Sequence, residues 1–286
     1  MTMQARFVRD DGRTFLLGGS YRDSAEWGIT DITGTDTVEN RMSWVVPAAG
    51  DGEEITGERI PARNIDIQAS VKDRQKNSAE RRKAMAFFNP KHSFTLYVTK
   101  GNVTRWTVAR QERFQCREQP ADRHVSMSIA LKCADPYLYS VDDYGKNIAA
   151  VTGCFGFPYI SPIERGFRTG VYNFAKVVTV ENTGDVETRM KIIVMADGLV
   201  ENPKVMLNGA YVRLLDILQA GDTVEIDMVR NTIRKNGSNC IGKVDRHSSF
   251  TGMVLRPGNN EVSFDADNGD TDMKVVLYYN LRYLGV

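Results

Sequence analysis

Apolar positions along this chain mostly alternate with polar ones at a period of two, and Gly, Asn, Asp or Pro breaks the alternation at short intervals. A half-buried strand shows every second side chain to a core, so the pattern predicts a mainly β protein. In the first half the clearest strands are 27–32, 63–71, 94–98, 103–114 and 125–133, with Lys100-Gly101-Asn102 turning two of them into a hairpin. Ile65 and Ile67 face inward on the second of these. One helix is predicted from about Ser78 to Phe88. Asn77 or Ser78 caps its free N–H groups, Glu80 stands in its first turn, and Asn89-Pro90 stops it. Ala84, Met85, Phe87 and Phe88 give that helix an apolar patch, while Arg81, Arg82 and Lys83 read as a solvated face rather than a nucleic-acid contact.

Between about Asp135 and Pro162 the periodicity lapses. Asp135-Pro136-Tyr137, Asp142-Asp143, Gly145, Gly153, Gly156, Pro158 and Pro162 crowd an interval that reads as the connection between two domains, 1–142 and 143–286. Beyond it strands resume at 176–181, 189–195, 204–207, 223–228, 232–235, 253–255, 260–264 and 273–283. Asn182-Thr183-Gly184-Asp185, Asn208-Gly209, Gly221-Asp222, Asn236-Gly237, Pro257-Gly258 and Asn268-Gly269 punctuate them, as turns do in a β-sandwich. Val224, Ile226, Val262 and Phe264 point inward in this reading. The segment from Gly34 to Gly57 fits either a long hairpin or a surface loop.

Charge and composition narrow the function classes. The 286 residues carry 37 Lys+Arg against 36 Asp+Glu, a formal charge of +1, and 42% of them are hydrophobic. That balance suits a folded protein with a sizeable core and argues against a general phosphate-binding surface, so no specific nucleic-acid site is expected. Charged residues interrupt the first 17 positions, so a secretory signal is not expected, and no run of 18 apolar residues offers a membrane span. Cys116, Cys133, Cys154 and Cys240 form no CxxC pair and read as reduced, mostly buried thiols of a protein made in a cytoplasm.

Candidate chemistry is sparse. His92, His124 and His247 are the available bases, and none stands in a recognisable nucleophile setting. The run Asp265-Ala266-Asp267-Asn268-Gly269-Asp270 resembles the start of a calcium loop, but Leu277 lies near the place of the required bidentate Glu, so a hairpin tip is favoured. Gly18-Gly19 and Gly101 belong to no phosphate-binding loop. Asp51, Glu53 and Glu54 cluster between glycines as a loop tip, although a carboxylate pair for glycoside hydrolysis needs only proximity in space. Trp27, Trp44 and Trp106 suit core or interface packing better than a sugar platform. No catalytic, cofactor or metal residue is assigned, no cofactor is expected, and the binding residues are left open.

Several stretches, taken in order, carry a resemblance. They are Arg63-Asn64-Ile65-Asp66-Ile67; Phe87-Phe88-Asn89-Pro90-Lys91; Leu131-Lys132-Cys133-Ala134-Asp135-Pro136-Tyr137; Glu181-Asn182-Thr183-Gly184; Gly221-Asp222 leading to Ile226-Asp227; Asn236-Gly237; Leu255-Arg256-Pro257-Gly258-Asn259-Asn260; and Tyr278-Tyr279-Asn280-Leu281-Arg282-Tyr283. In their joint order they resemble the siphophage distal tail proteins. The resemblance implies an N-terminal β-rich ring-forming domain with one helix and a C-terminal galectin-like β-sandwich. It implies a homo-hexameric ring at the tail tip, joining the tail-tube protein to a tail-associated lysin or fibre hub, next to the end of the tape-measure protein and offering a platform to receptor-binding proteins. It implies a structural virion protein, assembled in the host cytoplasm and not an enzyme. It also offers a precedent for a 34–57 hairpin reaching a neighbouring subunit. A non-catalytic carbohydrate-binding sandwich stands as the alternative, and a cell-wall glycoside hydrolase as a third reading.

Overall fold

The computed structural model describes residues 3–18, 25–118, 125–141, 144–147, 151–153, 170–172 and 177–286. The chain divides into two compact units, Met1–Val141 with Arg282–Val286, and Asp142–Leu281.

The first unit is one large sheet rolled on itself. Its strands are β1 (Met3–Arg9), β2 (Thr14–Gly18), β3 (Trp27–Thr33), β6 (Arg63–Val71), β7 (Ser93–Lys100), β8 (Val103–Glu118), β9 (Val125–Cys133) and β10 (Leu138–Ser140), while β4 (Arg41–Val45) and β5 (Glu54–Arg59) pair only with each other. The sheet order is β10-β8-β7-β1-β2-β3-β6-β9, with the C-terminal strand Arg282–Tyr283 outside β10. Because β8 also pairs with β9, the strands from β8 round to β9 close into a barrel, which removes exposed edges. Alternation sets the inside: Ile65, Ile67, Ala69 and Val71 of β6 are buried together with Met127, Ile129 and Leu131 of β9.

Two irregularities let the sequence keep filling that core. In β8 the register shifts between Gln111 and Arg113, so the odd positions Thr107 and Ala109 face inward before the shift and the even positions Phe114 and Cys116 pack on the core after it. In β3 a shift between Ile29 and Asp31 lets Trp27 and Ile32 both reach the interior. The hairpin turn between β7 and β8 is tighter than the sequence suggests, because Lys100 pairs with Val103 and leaves Gly101-Asn102 as the loop.

The helix, α1, spans Asn77–Phe87, one residue earlier than expected. Its cap also differs. A 3-10 turn at Arg74–Lys76 precedes it, and Asp73, rather than Asn77 or Ser78, accepts from a free N–H, that of Gln75. Ala84, Phe87 and Phe88 are buried as expected, but Met85 is exposed, because 84, 87 and 88 share one helix face and 85 lies about 100° away from it. Phe88 then packs among Phe7 of β1, Phe15 of β2, Phe94 of β7 and Phe114 of β8, with ring centroids 5.1, 5.2, 5.9 and 5.0 Å away. Arg9 fastens the end of the helix by donating to the Ala86 and Phe87 carbonyls at 3.3 and 3.2 Å.

The second unit is a β-sandwich of antiparallel sheets. Tyr144–Asn147, Met273–Tyr279, Lys191–Ala196, Thr223–Asp227, Thr232–Lys235 and Ser238–Asn239 form one sheet; Val177–Asn182, Gly258–Asp265, Lys204–Leu207 and Ala210–Arg213 form the other. Val224, Ile226, Val262 and Phe264 are buried, as the alternation requires. Asn208-Gly209 and Asn236-Gly237 both adopt positive φ (47° and 87°, 49° and 81°) in two-residue turns, the conformation that matches the twist of the strands they join.

The predicted strand over 273–283 is broken. Its first part, Met273–Tyr279, stays in the sandwich, while Arg282–Tyr283 pairs with β10 of the first unit, so the last five residues leave the region that precedes them. Arg63 holds this return. Its buried guanidinium donates to the carbonyls of Pro136 at 2.6 Å, Gly34 at 2.8 Å and Leu284 at 2.5 Å. Gly34 is glycine for a steric reason: at φ +80°, a Cβ there would sit 1.9 Å from the Asn64 carbonyl oxygen.

Candidate functional site

Among the described residues the reactive side chains are dispersed or spent on structure. His92 Nδ1 lies 2.6 Å from Asp10, whose carboxylate also accepts from the Ser93 N–H, and the pair joins two surface turns. His247 is 86% exposed beside Asp245. His124 and Cys154 lie outside the described residues. Burial pushes the Cys133 thiol up to about 11, and it raises Cys116 and Cys240 as well, the opposite of what a thiolate nucleophile needs. The calcium-like run is a turn whose central acid is occupied: Asp267 accepts both oxygens' worth of bonds from Arg213 at 2.6 Å and a third from Asn202 at 2.8 Å. Among the described residues no group of three His, Cys, Asp or Glu is placed to hold a metal ion. The tryptophans do not meet. Trp27 is core, Trp44 is exposed on β4, and Trp106 stacks on Tyr139.

What the structure presents instead is surface built for contact. Hairpin β4–β5 pairs from Arg41↔Arg59 to Val45↔Glu54, and every residue in both strands is exposed. Trp44 is 50% and Ile55 55% exposed on one face with Met42, while Val45, opposite Glu54, lies exposed on the other. A two-stranded hairpin with large apolar side chains in water is marginal by itself, and such a patch marks an interaction site. Asp51 and Glu53 lie in the loop at its tip and Glu54 opens β5, so the acids singled out in the sequence are exposed rather than in a cleft.

A second cluster joins two of the sequence signatures. Asp135 accepts the Tyr137 N–H at 3.0 Å through one carboxylate oxygen, and its other oxygen accepts from the Tyr139 hydroxyl and, at 3.3 Å, from Arg282. Burial, reinforced by Asp135, pushes the Tyr139 hydroxyl up to about 12. The Asp135-Pro136-Tyr137 strand exit and the tyrosine-rich C-terminus are therefore two halves of one device, which the pairings Leu138↔Tyr283 and Tyr139↔Arg282 complete. Trp106 Nε1 donates to the Ser140 carbonyl at 2.6 Å and fixes the same strand from the other side.

Residues 183–283 match the model of the siphovirus-type tail component, C-terminal domain. No curated protein matches the chain in sequence. Among solved structures, the SPP1 Dit protein (gp 19.1), described as a paradigm of the hub adsorption apparatus in phages infecting Gram-positive hosts, aligns over 98% of this chain and 99% of its own. Its TM-score is 0.67 at 15% identity, so the likeness is one of fold. Chains of the phage P2 baseplate in its activated conformation, with Ca and with Sr, align over 97% of this chain and 98% of theirs at 10% identity and a TM-score of 0.47. The C-terminal residues 183–283 thus match a siphovirus-type tail component domain, and the whole chain shares the fold of the SPP1 Dit protein.

Proposed function

We propose that this protein forms a homo-hexameric ring at the tip of a long phage tail, joining the tail-tube protein to a tail-associated lysin or fibre hub. The observation that carries the reading is the agreement of the whole chain, both units together, with the fold of a hub adsorption protein. In this reading the barrel unit makes the ring, close to the end of the tape-measure protein, and the sandwich unit is a platform for receptor-binding proteins. Assembly takes place in the host cytoplasm. A closed cyclic ring buries two complementary patches on every subunit, and the exposed hairpin β4–β5 supplies an apolar surface that needs such cover. Its acids serve solubility and subunit contact, and no residue has a catalytic, cofactor or metal role. Truncating the exposed side chains Trp44 and Ile55 to Ser tests the reading: the chain should keep its β-type circular dichroism and lose six-fold assembly. Rings that form unchanged would remove the hairpin from the interface.

A further inference from the structure

The sandwich unit contains three Asn-Gly dipeptides, Asn208-Gly209, Asn236-Gly237 and Asn268-Gly269. In such a pair the following backbone nitrogen reaches the side-chain amide with least obstruction, because glycine has no Cβ. The fold treats the three differently. Asn208 is tied at both ends of its amide: Nδ2 donates to Asn260 at 2.8 Å, and Oδ1 accepts the Glu261 N–H at 2.9 Å. Asn236 is tied likewise, with Oδ1 accepting the Thr223 N–H at 2.9 Å and Nδ2 donating to Asp222 at 2.7 Å. Asn268 is exposed, and its side chain makes no hydrogen bond among the described residues.

The glycine at 269 is fixed by its surroundings. It adopts φ +76°, and a Cβ there would lie 1.9 Å from the Leu199 carbonyl oxygen. The main chain before it is held from the same side: the Asn268 carbonyl accepts the Glu201 N–H at 2.9 Å, and the Asp267 N–H donates to the Glu201 carbonyl at 2.9 Å. Sterics thus keep a glycine behind an asparagine whose amide is untied and open to water. We infer that Asn268 is a site of spontaneous deamidation, the one among the three Asn-Gly pairs that the folded chain leaves unprotected.

The steps balance with water as the only co-reactant. A base in solution takes the Gly269 N–H proton, and the nitrogen attacks Cγ of Asn268. The new N–C bond closes a succinimide ring as the bond from Cγ to the amide nitrogen breaks, and that nitrogen leaves as ammonia. Water then opens the ring at either carbonyl. Opening at the side-chain carbonyl gives aspartate with the main chain unchanged, and opening at the main-chain carbonyl gives isoaspartate, with the main chain rerouted through Cβ. Either product adds a carboxylate to a stretch that already holds Asp265, Asp267, Asp270 and Asp272. The nearby Arg213 is already engaged by Asp267 at 2.6 Å, so the new charge meets no spare cation there. The change is set by this loop alone and is independent of the ring reading.

The test ages the folded full chain in mildly alkaline buffer and follows the peptide around each Asn-Gly pair by mass spectrometry, with electron-transfer fragmentation to separate aspartate from isoaspartate. Two hydrogen bonds must break before the amide of Asn208 or Asn236 can turn toward its neighbour's nitrogen, so Asn268 should convert about tenfold faster or more. In denaturant the three should convert at like rates, because the fold then protects none of them. Asn268→Gln should melt as the wild type does and lose the acidic species that the ageing wild type gains on isoelectric focusing. Conversion at Asn268 no faster than at the other two in the folded chain overturns the inference. A rate difference of the same size in denaturant overturns it too, as does an acidic species that forms unchanged in Asn268→Gln.

Discussion

At the scale of single residues, buried polar side chains explain why short motifs sit where they do. Asn260 is 0% exposed, and its amide donates to the Arg256 carbonyl at 2.7 Å and the Gly258 carbonyl at 2.9 Å, while its oxygen accepts from Asn208 and from the Arg256 N–H at 2.8 Å each. The turn Arg256-Pro257-Gly258-Asn259-Asn260 is thus folded around one amide. Removing it leaves several buried groups without partners, so Asn260→Ala should cost about 2–4 kcal/mol in a denaturant melt of the sandwich unit. Asp222 plays the equivalent part in an exposed turn. Its carboxylate accepts first from the Gln219 N–H and then from Asn236 and Lys235, which holds its pKa near about 2. Because that lies below the unfolded value of about 4, the anchor is fully in place above pH 4 and is lost as pH falls through about 2. A carboxyl-carbon NMR titration should find that midpoint; a value near 4 would show the turn bonds absent. The motif asparagines and aspartates were visible in the sequence as turn residues. Their partners were not, since Asn208 and Asn260 lie 52 positions apart and only the fold brings them together.

Elements show the same division between local pattern and distant pairing. Strands 63–71 and 125–133 are legible because both alternate without interruption against a common core. Strand β8 is legible only to 114, since the shift at Gln111–Arg113 reverses which parity faces inward and the alternation stops halfway along. The helix and its stop at Asn89-Pro90 are legible, but its aromatic role is not: Phe88 meets four rings from four different strands. Phe88→Ala should accordingly cost about 3–5 kcal/mol, a cavity-type loss measurable by chemical denaturation, whereas Met85→Ala at the exposed position should cost less than about 0.5 kcal/mol. The hairpin β4–β5 could be read as either loop or strand because every residue of its two strands is exposed among the described residues, so its side chains alternate against no core there. Its strands are specified by pairing and, in the proposed ring, by a neighbour. Alanine at Asp51, Glu53 or Glu54 should leave the fold intact, as the circular dichroism melt will show.

For the whole molecule, the path of the chain matters more than the linker composition suggested. The sandwich unit lies between two strands, β10 and Arg282–Tyr283, that pair directly with each other, so it is an insertion into the barrel unit rather than a domain appended to it. Two fragments follow from this topology. Residues 142–281 should fold alone, and the barrel unit should fold with Val141 joined to Arg282 through a short glycine-rich turn, each with a cooperative melt. A barrel fragment ending at Val141 should be less stable than the joined form, since it lacks the strand and the Leu284 carbonyl to which Arg63 donates. A joined form no more stable than that fragment would contradict the role given to the C-terminal return.

The central claim, a closed ring at the tail tip, is tested most directly by native mass spectrometry with electron microscopy on the purified full-length chain, alone and with its tube and hub partners. The account predicts six-copy rings, in isolation or on contact with a partner. A chain that stays monomeric or stops at a dimer in the presence of both partners would contradict it.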